Sequence, residues 1–266
     1  MTAAAPFTVV PSGAALGAEI RGVDLTRIDD ATFQALHKVW LEHMLLLFRG
    51  QKFAPEDLVT LVKRFGTPVT SSTLHKRDLA ERIANQVFQL PPEVTVVTNV
   101  RENGKPVGIL GDGEVVWHSD FSFKDKPTAA RMLLAVEIPP AGGHTYFSNC
   151  YAAYDTLPAD VKQRLTGLRA RHVYDYNMNP TQRGGRNVAP DVPTWVHPVV
   201  RLHPATGRKA LYVSRLMTSG IEGMPDADSD ALLNMLFDHI EQPRFIYSHA
   251  WKKGDVLMWD NRCALH

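Results

Sequence analysis

The chain has 266 residues, 44% of them hydrophobic, with 29 Lys and Arg against 28 Asp and Glu. That is enough apolar material for a sizeable core, while a net charge of +1 excludes a nucleic-acid binder driven by phosphate neutralisation and any polybasic membrane patch. Two cysteines, Cys150 and Cys263, exclude a disulfide scaffold and a four-cysteine zinc site and read as buried free thiols.

The first fifteen residues read as an extended arm, and Ala18 to Leu25 alternates as a strand. Phe33, Leu36, Val39 and Trp40 recur at helical spacing over 31–42, and Met44 to Phe48 reads as a buried strand far too short to span a membrane. Pro55 opens a second helix over 56–65, which stops at Gly66-Thr67-Pro68. Beyond residue 68, short strands are expected over 86–90, 94–100, 132–138, 145–148, 170–174, 198–202, 211–213, 245–248 and 255–259. Two helices interrupt them, over 151–165 and 229–241. The second carries a stripe of Leu232, Leu233, Met235, Leu236 and Ile240. The polar run from Arg183 to Pro193 reads as a loop. With 18 Gly and 18 Pro, the expectation is mainly β with flanking helices: a single catalytic domain over 1–266, with elements of about 16–68 packed on a sandwich or barrel of about 69–266. No basic, apolar leader begins the chain, and the reading is a cytoplasmic protein.

The sharpest local feature is Val116-Trp117-His118-Ser119-Asp120. On a strand, residues two apart face the same side, so His118 and Asp120 would project an imidazole and a carboxylate together. A distant histidine would complete a two-histidine, one-carboxylate face that holds iron(II) on one side and leaves positions open on the other. Of the other histidines, His266 stands just past an expected strand end, where ligands commonly sit. A salt-bridged surface pair is the plain alternative for His118 and Asp120.

The segment from Trp117 through Gly142-Gly143-His144-Thr145 to Pro158 resembles the metal-binding region of the Fe(II)- and 2-oxoglutarate-dependent dioxygenases of the taurine dioxygenase and 2,4-dichlorophenoxyacetate dioxygenase type. Segments 16–25, 44–51, 197–213 and 252–266 follow in the family's order, so the resemblance covers essentially the whole chain. It implies a double-stranded β-helix, a cupin-like jelly-roll, with helices outside it. It makes His118, Asp120 and His266 the catalytic metal ligands, gives Thr145 the distal carboxylate of 2-oxoglutarate, and places Trp259 in the wall of the cofactor pocket. The cofactors implied are Fe(II), 2-oxoglutarate as cosubstrate, and O2. The reaction implied is hydroxylation of a C–H bond, with succinate and CO2 as coproducts and with C–O or C–S cleavage where the hydroxylated product collapses. The family's usual Gly-Gly-Asp-Thr is here Gly142-Gly143-His144-Thr145, and the stretch 70–74 lacks the histidine and tyrosine that hold taurine's sulfonate.

The substrate expected is a small organic anion, an aryloxyalkanoate first, then an alkyl sulfonate or sulfate ester, then an amino-acid-like compound. The residues expected to select it are Leu74, His75, Asn99, Phe121, Arg215 and Met217, with Arg215 as the basic group suited to an anion. The stretch from Tyr174 to Pro193 would form a lid. Homodimers and homotetramers both stay open. A zinc or manganese cupin-type enzyme that is not an oxygenase, and a non-enzymatic β-sandwich binding module, are the competing classes. The joint presence of Trp117-His118-Ser119-Asp120, Thr145 and His266 argues against the binding module, which has no need for all three. A closing strand and a cationic partner for 2-oxoglutarate lead to a further expectation: the protein continues about 15 to 35 residues past His266, with an arginine about ten to twelve residues along. Until that tail orders, His266 would be loosely placed.

Overall fold

A computed structural model describes residues 6–69, 89–106, 115–174 and 192–266. The chain divides into two compact units, the larger formed by residues up to 24, 28–51 and 116–266, the smaller by residues 25–27 and 52–115.

The larger unit opens with β1 (Thr8–Pro11), β2 (Ala18–Arg21), α1 (Asp30–His43) and β3 (Leu45–Phe48). The smaller holds α2 (Pro55–Lys63) and a short hairpin of β4 (Arg101–Glu102) and β5 (Lys105–Pro106). The larger resumes with β6 (Ala130–Leu134), β7 (Thr145–Asn149), α3 (Cys150–Asp155), α4 (Ala159–Arg164) and β8 (Arg169–Val173). β9 (Thr194–Pro198), β10 (Val200–Leu202), β11 (Lys209–Leu211), β12 (Thr218–Ile221) and α5 (Asp226–Ile240) follow. It ends with β13 (Ile246–His249), β14 (Val256–Asp260) and β15 (Ala264–Leu265).

Local chemistry explains the helices. The Asp29 carboxylate accepts from the Thr32 backbone N–H at 2.7 Å and caps α1. Phe33, Leu36 and Trp40 are the buried face. Met44, at φ +63°, ends the helix by donating its N–H to the Trp40 carbonyl, then turns the chain into β3. Pro55 starts α2, where the Asp57 carboxylate accepts from the Ala54 N–H at 2.9 Å. In α5, Leu232, Leu233, Leu236, Phe237 and Ile240 are buried, whereas Met235 lies on the exposed side of the expected stripe. The single helix expected over 151–165 is two, because Pro158 cannot continue the hydrogen-bond ladder of α3.

The jelly-roll expectation is corrected. The largest sheet has five strands in the order β1-β2-β3-β14-β6, and β2 and β3 run parallel across the α1 connection. The remaining strands form two three-stranded sheets, β12-β8-β9 and β13-β7-β15, and two two-stranded pairs. The fold is mixed α/β with several sheets and flanking helices, and no closed barrel or jelly-roll topology appears among the described residues. The reason lies in β3. Its four residues, Leu45 to Phe48, are all buried, which suits a strand covered on both faces. It lies between β2 and β14 and so joins the first strands of the chain to the same sheet as β14. Short strands and frequent turns signal β structure but do not say which strand pairs with which.

Boundaries moved elsewhere too. The expected strand over 94–100 is irregular, β6 starts two residues early, and β1, β4, β5, β9, β12 and β15 have no counterpart among the expected strands. Residues 86–88 of the strand expected over 86–90 fall outside the described part, and 89–90 are not strand. Cys150 and Cys263 are free and buried, as expected. No described helix is long and apolar enough to cross a membrane.

Candidate metal centre

Backbone pairing builds the site. His118 and His266 exchange N–H···O=C bonds in both directions, each 2.9 Å, which sets their rings 4.1 Å apart between centroids. His266 is therefore firmly placed, contrary to the expectation of a loose end. Residues 115–120 are not a ladder strand, so the pleat does not align His118 with Asp120. Asn261 does this instead. Its side-chain oxygen accepts from the Asp120 N–H at 2.8 Å, and its amide nitrogen donates to the Asp120 and Thr128 carbonyls at 2.8 and 2.9 Å. The Ser119 hydroxyl donates to the Asn261 carbonyl at 2.8 Å.

The result places His118 Nε2 3.8 Å from Asp120 Oδ1 and His266 Nε2 3.6 Å from Asp120 Oδ2. Nδ1 of His118 lies 3.0 Å from the Val116 carbonyl and donates to it, so its Nε2 lone pair faces the cluster. Ligand atoms of the three residues all lie within 4.8 Å of one another, a donor set that fits one divalent ion. Burial, reinforced by His118, pushes His266 down to about 3, so its imidazole is neutral near pH 7. Burial alone would raise the Asp120 carboxyl, but the Arg131 guanidinium and the two imidazoles outweigh it and hold the group well below the ordinary carboxylate range.

Trp259, on β14, is buried with its ring 4.7 Å from that of His266, and Phe147 stacks on His266 at 6.0 Å. These rings pack against the His266 imidazole from behind. Thr145, at the start of β7, accepts from Trp251 Nε1 at 2.9 Å, which leaves its own hydroxyl proton free to donate. His144 is exposed and lies 3.3 Å from the Ser248 hydroxyl. A second cluster, His203, Asp260 and Cys263, is buried, but the Asp260 oxygens are already bound by Arg262 at 2.8 and 2.6 Å and by His203 at 3.0 Å. With a guanidinium on that carboxylate, the cluster is a structural ion pair.

The residues expected to select substrate divide. Phe121, at φ +56°, follows Asp120 directly, and its ring packs against a buried cluster of Phe123, Leu216 and Met217. Arg215 turns away to α5, bonding Glu241 at 3.0 Å and Asp238 at 2.9 Å. Asn99 belongs to the smaller unit. Leu74, His75 and the lid stretch 175–191 lie outside the described residues. Sequence reasoning missed Asn261 and Arg131. An asparagine between Asp260 and Arg262 has the sequence character of an ordinary turn residue, and nothing local distinguishes Arg131.

Over residues 8–266 the chain matches the profile of the taurine catabolism dioxygenase TauD, TfdA family, and it belongs to that family. It is 32% identical over 279 residues to an (S)-phenoxypropionate/alpha-ketoglutarate-dioxygenase of Sphingobium herbicidovorans, covering 98% of this chain and 88% of the relative. It is 37% identical over 234 residues to an alpha-ketoglutarate-dependent 2,4-dichlorophenoxyacetate dioxygenase of a Burkholderia species, covering 84% of this chain and 75% of that one. The crystal structure of a taurine dioxygenase from Burkholderia xenovorans superposes with a TM-score of 0.76 at 29% identity, covering 98% of this chain and 83% of that one. The protein is thus an iron(II)- and 2-oxoglutarate-dependent dioxygenase acting on a small organic substrate.

Proposed function

We propose that His118, Asp120 and His266 hold the iron, that Thr145 donates to the distal carboxylate of 2-oxoglutarate, and that the substrate is a small organic anion, an aryloxyalkanoate before an alkyl sulfonate or sulfate ester. The observation that carries the metal reading is the reciprocal backbone pairing of His118 with His266, with Asp120 facing both rings. Iron(II) supplies the redox chemistry with O2 that no side chain can. Overall, one C–H bond becomes C–OH, one O2 is consumed, and 2-oxoglutarate leaves as succinate and CO2.

The protein's own residues position and exclude. The neutral His266 and the ionised Asp120 present lone pairs without first losing protons near pH 7. Trp259 and Phe147 keep water from the far side of His266. Phe121, with Met217 in the apolar cluster beside it, offers a wall for an aryl or alkyl group. The aryloxyalkanoate order is supported by the phenoxypropionate and dichlorophenoxyacetate dioxygenases among the relatives. Two measurements test the reading. Anaerobic addition of iron(II) and 2-oxoglutarate should produce a visible charge-transfer band that is lost in His118→Ala and Asp120→Ala. Succinate release across a panel of aryloxyalkanoates, alkyl sulfonates and sulfate esters should exceed the release without substrate. A band unchanged in either variant refutes the ligand set, and turnover confined to neutral compounds refutes the anion.

A further inference from the structure

An anionic substrate needs a cation near the metal, and Arg215, the residue whose type and position suggested that role, is spent on Glu241 and Asp238. Arg131 is placed differently. It stands on β6 opposite Trp259 of β14, and its Nε donates to Asp120 Oδ2 at 2.8 Å. This bond uses the guanidinium's Nε and turns its two terminal nitrogens away from that oxygen. The two terminal nitrogens make no hydrogen bond among the described residues, and the side chain is 36% exposed. Its Cζ lies 5.5 Å from the centre of the Phe121 ring, which packs in turn on Phe123 at 5.8 Å. A planar two-pronged donor therefore stands beside the metal centre with an apolar aromatic wall against it.

Charge favours the same use. Without a metal, Asp120 neutralises Arg131. A dication held by Asp120 and two imidazoles would draw on that carboxylate, leaving the guanidinium's charge available to a second anion. A guanidinium fork binds a carboxylate or sulfonate through paired, charge-assisted hydrogen bonds, which a lysine cannot reproduce.

We propose that Arg131 anchors the acid group of the substrate, with Phe121 against the substrate's apolar part. The inference rests on the anionic-substrate reading given above. The competing cation is Lys124, whose Nζ lies 4.7 Å from the centre of the Phe121 ring.

The test uses full-length protein saturated with Mn(II), its occupancy verified by electron paramagnetic resonance, and loaded anaerobically with 2-oxoglutarate. Calorimetry then measures binding of phenoxyacetate, 2-phenoxypropionate, an alkyl sulfonate and an alkyl sulfate, and of the methyl ester of the tightest-binding carboxylic acid. Arg131→Gln should weaken that acid at least about tenfold while leaving the ester and 2-oxoglutarate within about threefold, and Arg131→Lys should recover part of the loss. Equal weakening of acid and ester would show a merely structural role and overturn the proposal. Parallel loss of 2-oxoglutarate would move Arg131 to the cosubstrate and overturn it too. So would a Lys124→Gln variant that reproduces the loss while Arg131→Gln does not. If no acid of the panel binds the unmodified protein, the anionic-substrate reading itself fails, an outcome distinct from acids that bind equally with and without Arg131.

Discussion

Asn261→Ala removes the amide that joins two halves of the candidate metal centre. The native side chain is buried, accepts from the Asp120 N–H, and donates to the Asp120 and Thr128 carbonyls. Alanine strands all three backbone groups. At ~1–3 kcal/mol for each stranded buried group, with relaxation around the partly exposed Asp120 favouring the low end, the loss should be about 3–5 kcal/mol. For a chain of 266 residues that is a melting-temperature drop of roughly 5–9 °C. Metal binding should suffer as well, because Asp120 is no longer held facing the two imidazoles. Loss of an outer partner of this kind weakens binding about 10–100-fold. Urea unfolding of the metal-free protein measures the first effect, and Mn(II) titration followed by electron paramagnetic resonance measures the second. Asn261→Asp is the informative companion. It can still accept from the Asp120 N–H but cannot donate to either carbonyl, and it buries a charge, so it should be no better than alanine. A variant that loses less than about 1 kcal/mol and keeps metal affinity within about threefold would refute the clamp.

Three further outcomes follow from the same geometry. Thr145→Ala should raise the 2-oxoglutarate concentration needed to develop the charge-transfer band while leaving Mn(II) affinity largely intact; equal loss of both would show that the hydroxyl does something else. Burial, reinforced by His197 and Arg201, pushes His172 down to about 3. Its unfolded value is about 6.5, so between those values the unfolded chain holds the extra proton, and stability falls as pH drops below about 6.5. His172→Leu should flatten that fall by up to ~1.4 kcal/mol per pH unit, read from urea midpoints, and an unchanged slope would refute the assignment. Burial also pushes the Cys150 thiol up to about 12 and raises Cys263 well above its ordinary value, so neither should react with an alkylating reagent at pH 8 unless denaturant is added. Mass spectrometry with and without urea decides this.

What the chain determined alone was local. The spacing of Phe33, Leu36 and Trp40 carried α1, the run Leu45 to Phe48 carried β3, and His118-Ser119-Asp120 with a later His266 marked the candidate metal centre. These rest on periodicity, side-chain chemistry and the family's order of segments, all of which are written along the backbone. The tertiary structure decided which distant pieces meet. It paired β3 with β14, replacing the expected jelly-roll with a mixed five-stranded sheet. It sent Arg215 to the carboxylates of α5 and brought Arg131 to Asp120. It also showed that Asn261, 141 positions along the chain from Asp120, holds that carboxylate in place. An arginine or an asparagine reads the same in sequence whether it meets solvent, a helix carboxylate or an aspartate beside two imidazoles. Its partner is chosen by backbone hydrogen bonds and burial between segments far apart along the chain, where local pattern carries no information.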